Sequence, residues 1–211
     1  WGGTDGFCYG YPNKTEQDAD GYDLFMPSWK VDCNEPEYRV DKDGKKVPYA
    51  TPPGPSELIG TPVLYKDKVY VAIGQDPEHG DGVGRLSCID PKNGEVVWKY
   101  TDVGRTISTV SVHDDLVYVA EYAGLIHCLD ASTGKLYWTY DSFSRIWGST
   151  LVAGGKVLLG NEDGDLLVLD HGKDKPKVES INMGAPVYSS PVYVNGTLYI
   201  ATQTHLYAIG E

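Results

Sequence analysis

The residues best suited to chemistry form an acidic run, Asp18-Ala19-Asp20-Gly21-Tyr22-Asp23. Alternating carboxylates around a glycine that permits a sharp turn suit a hard cation such as Ca²⁺, which gathers roughly six to eight oxygens from one loop. The spacing departs from an EF-hand and no bidentate Glu follows, so a solvated acidic loop is the competing reading of Asp18, Asp20 and Asp23. A second run, Asn161-Glu162-Asp163-Gly164-Asp165, reads as a hairpin turn whose acids face water. The histidines, His79, His113, His127, His171 and His205, are scattered, and none stands at ligand spacing from another. Sequence therefore assigns none of them a metal or catalytic role. No Gly-x-Ser-x-Gly elbow, phosphate loop or Cys-x-x-Cys spacing occurs.

The elements that would position these residues are legible in a repeat. Residues 124–140 run Gly-Leu-Ile-His-Cys-Leu-Asp, a turn of Ala-Ser-Thr-Gly, then Lys-Leu-Tyr-Trp-Thr-Tyr. Residues 84–100 match them position for position, with Trp98 and Trp138 separated by 40. Each copy reads as two antiparallel strands joined by a short loop. A third copy begins at Gly164, with Val178 at the Trp position, and a fourth covers 204–210. Upstream of each lies another strand pair, at 61–72, 109–120, 149–160 and 190–201, and Asp114-Asp115, Gly154-Gly155 and Asn195-Gly196 carry hairpin-turn chemistry. The unit is thus a four-stranded meander, which must stack on a neighbour to bury its apolar face.

This unit, with its Asp-x-x-x-Gly turn and closing Trp, resembles the pyrroloquinoline quinone (PQQ)-like β-propeller repeat over residues 57–210. The resemblance implies an all-β propeller of four-stranded antiparallel blades, about four of them here, within a larger propeller of roughly eight. The expected division is a partial blade with long loops at 1–56, blades at 57–104, 105–144 and 145–185, and an incomplete blade at 186–211. Within 1–56, the stretch from Trp1 to Tyr11 reads as a third strand and Leu24 to Asp32 as a fourth, with Trp29 in the place of Trp98 and Trp138. The chain also begins without an initiator Met, as one trimmed of a leader or upstream region would. Two arrangements are open: a fragment cut within blades, which the redundant third strand favours, or a small ring closed by pairing the Trp29 strand with the Leu206 strand. Between Cys33 and Glu57 a loop rich in Pro, Lys, Asp and Gly includes Thr51-Pro52-Pro53-Gly54-Pro55, and residues 74–83 form a second insertion.

Aligning the repeats places Glu57, Arg105, Arg145 and Pro186 at one position, and Ile59, Ile107, Trp147 and Tyr188 two residues on. Innermost strands line a propeller's channel, so Arg105, Arg145, Trp147 and Tyr188 could grip an anionic or planar ligand by bidentate contacts and stacking. The competing role for each Arg is a bridge to backbone carbonyls of an adjacent blade or to the acid of a turn. Trp29, Trp98 and Trp138 are expected to dock blade on blade. Cys88 and Cys128 occupy equivalent repeat positions and read as small core residues, leaving Cys8 and Cys33 as the candidate disulfide.

The family resemblance includes quinoprotein dehydrogenases, an outer-membrane-assembly scaffold lipoprotein and many exported bacterial proteins, so it implies fold more firmly than activity. The dehydrogenases use PQQ with calcium, and many carry a vicinal disulfide; no adjacent Cys pair occurs here and no cofactor residue can be placed, so PQQ is not expected. The resulting expectation is a non-catalytic, exported (periplasmic or extracellular) bacterial binding or scaffold module. Its partner would be another protein or the remainder of the same propeller. A quinoprotein-type oxidoreductase completed outside this chain is the alternative, and a calcium-binding surface protein a third. With 211 residues and 41% apolar content the chain can bury a sizeable core, and its net charge of −12 argues against nucleic acid or an anionic membrane surface. No run is long enough to insert as a membrane-spanning helix.

Overall fold

The computed structural model describes residues 1–48, 51 and 54–210; Tyr49, Ala50, Pro52 and Pro53 of the long loop, and Glu211 of the last blade, lie outside the described residues. Four short strands come first: β1 (Phe7–Gly10), β2 (Glu16–Gln17), β3 (Asp23–Leu24) and β4 (Trp29–Asp32). β1 pairs antiparallel with β4, and β2 with β3 in a small hairpin between them. The first full sheet is β5 (Val63–Tyr65), β6 (Lys68–Ile73), β7 (Arg85–Ile89) and β8 (Val96–Tyr100). The second is β9 (Ser111–His113), β10 (Leu116–Ala120), β11 (Leu125–Asp130) and β12 (Leu136–Asp141). The third is β13 (Leu151–Ala153), β14 (Lys156–Gly160), β15 (Asp165–Asp170) and β16 (Val178–Asn182), and a three-stranded sheet follows with β17 (Val192–Val194), β18 (Thr197–Ala201) and β19 (Leu206–Ile209).

Each full sheet is a meander in sequence order, and β9 lies against both β5 and β13, which makes the first strands innermost. This is the blade arrangement of a β-propeller. The hairpins that begin the blades turn where residues tolerate positive φ: Lys66-Asp67 (43° and 57°), Asp114-Asp115 (47° and 61°), Gly154-Gly155 (57° and 73°) and Asn195-Gly196 (51° and 77°). Helix among the described residues is confined to two 3₁₀ turns, Pro36–Tyr38 and Pro77–His79, and none is long and apolar enough to cross a membrane. Among the described residues the Trp29 strand does not pair with the Leu206 strand: β4 pairs with β1, and β19 with β18.

The core is a series of layers between sheets. In β10 every residue is buried, and the period-2 alternation sends successive side chains to opposite layers. Val117 and Val119 pack with Tyr70, Leu86 and Cys88 of the first blade, whereas Leu116, Tyr118 and Ala120 pack with Val157, Leu159 and Leu169 of the third. Cys88 and Cys128 therefore fall in successive layers, as small core residues do. A further layer joins β1 and β4 to the first blade through Cys8, Cys33, Leu58 and Ile73. Cys8 and Cys33 are thus brought into one buried cluster, where both are free thiols and burial pushes the Cys33 thiol up to about 12.

One contact recurs between blades. The indole N–H of Trp29 donates to the Pro91 carbonyl (2.7 Å), that of Trp98 to Ala131 (2.9 Å) and that of Trp138 to Gly172 (3.0 Å), each in the turn between the third and fourth strands of the next blade. The turn glycine of the Asp-x-x-x-Gly motif lies under the ring: a Cβ on Gly94 would sit 2.9 Å from Trp29, and one on Gly134 2.6 Å from Trp98. The same turn is shaped by its aspartate. Asp130 accepts from the Ser132 hydroxyl (2.6 Å), the Ser132 and Thr133 amides (3.0 Å each) and the Tyr137 hydroxyl (2.8 Å). The hydrogen bond from Ser132 leads in holding its carboxyl well below the usual carboxylate range, against the opposing pull of desolvation.

Two outcomes follow. Trp138→Ala should cost about 3–5 kcal/mol, the range for truncating a buried aromatic, visible as a fall in the urea midpoint; an unchanged midpoint would contradict the docking. Because the folded-state value of Asp130 is depressed, its contribution is complete above about pH 4 and is lost as pH falls through the folded value. The stability gap between wild type and Asp130→Ala should accordingly be constant from neutral pH down to that region and narrow below it.

Candidate functional site

At one end of the inner strands, the backbone sets four equivalent positions by the same hydrogen bond. The carbonyls of Glu57, Arg105, Arg145 and Pro186 accept from the amides of Gly74, Tyr122, Glu162 and Gln203, each 17 residues further on, at 2.8–2.9 Å. The side chains of these loops gather at that end. Arg105 stacks over the Tyr122 ring with its guanidinium carbon 4.4 Å from the centroid, and that of Arg145 lies 5.6 Å from the same ring. Tyr122 meets Trp147 edge-on at 5.0 Å, and Trp147 meets Tyr188 edge-on at 5.7 Å. The structure therefore brings Arg105, Arg145, Trp147 and Tyr188 into one chain of contacts, linked by Tyr122.

The two arginines are not equivalent. Arg105 Nη1 donates to the Gly80 carbonyl in the insertion of the first blade, which is the bridging role weighed against ligand binding. Arg145 has 61% of its side chain exposed, and its ion pair with Glu162 is long at 3.7 Å. Beside them the Trp147 indole nitrogen is buried with no hydrogen-bond partner. A buried N–H left unpaired costs about 1–3 kcal/mol, and what this end offers to solvent is the Arg145 cation beside aromatic rings, a setting for an acceptor-bearing, planar ligand.

Beneath this cluster lies a buried polar relay between the first and second blades. Glu121, immediately before Tyr122, accepts from the Gly104 amide (2.7 Å) and lies 2.8 Å from His127 Nε2; His127 Nδ1 lies 3.1 Å from the Tyr100 hydroxyl. A carboxylate only accepts, so Nε2 carries the proton in this bond. Burial pushes the Tyr100 phenol up to about 12, which keeps it a donor to Nδ1. The relay locks the turn that presents Tyr122.

Asp18, Asp20 and Asp23 are not drawn together. Asp18 Oδ1 accepts from the amides of Asp20 and Tyr22 (2.9 Å each) in the β2–β3 turn, and Asp23 accepts from the Gln17 amide at 3.3 Å. The histidines depart from expectation: His113 and His171, 58 residues apart and unrelated by ligand spacing, meet at the opposite end of the strands because one blade's hairpin reaches the next blade's outer turn. Tyr122, Glu121 and the His127 relay were also missed. Their signal was the turn between β10 and β11, Glu121-Tyr122, which differs from its counterparts at Asn161-Glu162 and Thr202-Gln203.

Fold and repeated blade contacts define a β-propeller repeat protein. The chain belongs to the PQQ-like β-propeller repeat family: a family model described as outer membrane protein assembly factor BamB matches residues 82–210. Among curated proteins, none matches the sequence. Among solved structures, BamB from Moraxella catarrhalis is similar with a TM-score of 0.60 and 20% identity, over 73% of this chain and 47% of that one. Quinohemoprotein alcohol dehydrogenase from Comamonas testosteroni gives 0.56 and 19%, over 69% of this chain and 29% of that one. The computationally designed Ika4 protein gives 0.58 and 13%, over 72% of this chain and 91% of that one. These likenesses carry the fold, and the chain spans about half the length of BamB and less than a third of the dehydrogenase.

Glu121→Ala should leave the Gly104 amide and the His127 N–H unpaired in a buried site, at about 1–3 kcal/mol each. Chemical denaturation should show a loss of at least about 2 kcal/mol, and a variant as stable as wild type would show that the relay is not holding the turn.

Proposed function

We propose that this chain is a binding and scaffold propeller of an exported bacterial protein, not a reaction centre, and that its ligand is a protein segment carrying acidic and aromatic side chains. The observation that carries this reading is the Arg145–Tyr122–Trp147–Tyr188 cluster, whose exposed guanidinium offers its donors beside rings packed edge to face. Arginine grips carboxylates bidentately, and aromatic pairs add contact area at low entropic cost. The BamB family supports a role in protein assembly and a place outside the cytoplasm.

Exposed apolar residues on the last blade, Val192 (52%), Tyr193 (52%) and Leu206 (70%), give a second surface against which a partner or a further blade of the same propeller would pack. The quinoprotein alternative is less well supported. A calcium–quinone pair calls for several hard oxygen ligands, and among the described residues the one group of three or more His, Cys, Asp or Glu with converging ligand atoms is His113, Asp114 and His171. That donor set, two imidazoles and one carboxylate, does not fit the pair.

The test is a fluorescence titration of Trp147 with extended peptides that combine Glu or Asp with Phe, Tyr or Trp. Arg145→Ala should weaken the best peptide by about 1.5–3 kcal/mol, the value of a hydrogen bond to a charged group. Trp147→Phe, which removes only the indole N–H and some ring area, should weaken it as well. Binding indifferent to both substitutions would overturn the site, and dye reduction by the protein supplied with PQQ, Ca²⁺ and an alcohol would overturn the scaffold reading.

A further inference from the structure

His113 closes β9, Asp114 opens the β9–β10 turn, and His171 follows β15 in the next blade. Both imidazole Nε2 atoms face one carboxylate oxygen: His113 Nε2 lies 3.5 Å and His171 Nε2 3.6 Å from Asp114 Oδ2. The ligand atoms of the three residues all lie within 4.8 Å of one another. Around a tetrahedral ion with bonds near 2.0–2.1 Å, neighbouring ligand atoms are about 3.3 Å apart. Two of the three separations are within a few tenths of that figure, and the rotors of exposed His113 and Asp114 can close the third. We propose that this cluster is a divalent metal site of the zinc class, bridging the second and third blades, with three protein ligands and one open position.

Three further observations support the assignment. First, His171 is the anchored member: its side chain is 12% exposed, and its Nδ1 lies 2.8 Å from the Tyr118 hydroxyl, which also accepts from the Gly172 amide at 3.1 Å. With an ion bound, Nδ1–H donates to that oxygen and the Nε2 lone pair points at the metal, the outer contact that metal-bound histidines ordinarily have. Secondly, the competing cation is already engaged, since Lys66 pairs with Asp115 at 2.7 Å and leaves Asp114 to the histidines. Thirdly, the trio is where the repeat departs from itself. At the preceding interface the equivalent residues are Tyr65, Lys66 and Ala131, with no imidazole or carboxylate among them, and Tyr70, the counterpart of Tyr118, donates to the Ala131 carbonyl at 3.0 Å.

Two imidazoles and one carboxylate select borderline ions such as Zn²⁺ over Ca²⁺ or Mg²⁺, which seek all-oxygen shells. The site lies at the end of the strands opposite the Arg145 cluster, on a face reached from solvent through His113 and Asp114. Its open position would take water or a donor atom from whatever docks on that face. Bound metal would add a clamp between two blades that already meet here through packing and the hydrogen bonds of Trp138 and Tyr118.

The experiment is calorimetric titration of chelator-treated, tag-free protein with Zn²⁺, together with Co²⁺ as a spectroscopic probe. The expected result is one ion per chain, visible d–d absorption typical of four-coordinate Co²⁺, and a higher melting temperature with Zn²⁺. His113→Gln and His171→Gln should each abolish the single-site isotherm. Tyr118→Phe should weaken it by about 10–100-fold, as loss of an outer contact does. His113 is exposed, so its variant tests the site without disturbing the core. Melting in chelator confirms that each variant is folded, and Asp18→Asn with Asp20→Asn should leave uptake unchanged. Absence of stoichiometric uptake by wild type, or uptake that survives both His113→Gln and His171→Gln, would overturn the proposal.

Discussion

The contact on which the structure depends is an indole laid on the turn of the next blade. A single four-stranded meander exposes two apolar faces and has too little area to stabilise itself. The docked Trp joins one meander to the next twice over: its ring covers the turn glycine, and its N–H satisfies a carbonyl that the tight turn leaves without a strand partner. In the first two full blades the aspartate that begins the turn ties down backbone amides and the glycine that ends it admits the ring, whereas Trp138 docks on a turn with Asp174 at the glycine's place. Gly134, at φ 71°, meets both a conformational and a steric demand at one position. Where the third blade carries Val178 in place of Trp, the layer to the fourth blade is centred on Leu158, Leu166, Val187 and Ile200, and the Tyr207 hydroxyl donates to the Met183 carbonyl at 3.2 Å.

Once blades are fixed in this way, function is confined to their ends. The strands are consumed by pairing and by burial on both faces, as in β10, so only loops remain to vary. One end collects Arg105, Tyr122, Arg145, Trp147 and Tyr188 because the loops entering each blade are pinned at 17-residue intervals to the turns leaving the second strands. The other end collects first-hairpin and outer-turn residues of adjacent blades, which is why residues as far apart as His113 and His171 become neighbours. The buried Tyr100–His127–Glu121 relay sits between these roles. It is fully satisfied, and it orders the turn that carries Tyr122.

The fold was legible in the sequence because the repeat states it twice almost without change, at 84–100 and 124–140, and because Asn195-Gly196 and its counterparts mark the hairpins. The equivalence of Arg105, Arg145 and Pro186 was legible for the same reason. The Trp docking between blades was legible from the repeat as well, but which non-repeated residues meet across blades was not. The bridge from Arg105 to Gly80 depends on how an insertion folds, and the meeting of His113 with His171 depends on a neighbour set by ring geometry. The acidic run at Asp18 shows the converse: a pattern prominent in the sequence spends its Asp18 oxygen on its own turn amides. Local pattern reports turns well and ligands poorly, because a turn is made by adjacent residues whereas a site is made by distant ones.

The most direct test of the docking account is a double-mutant cycle on Trp98 and Gly134, followed by urea denaturation. Gly134→Ala places a Cβ 2.6 Å from the Trp98 ring and also strains a backbone at φ 71°; only the first of these involves the indole. The account predicts that Gly134→Ala costs less in a Trp98→Ala background than in wild type, with a coupling of at least about 1 kcal/mol, well beyond the roughly 0.3–0.5 kcal/mol expected of independent sites. Additive costs within that margin would contradict it.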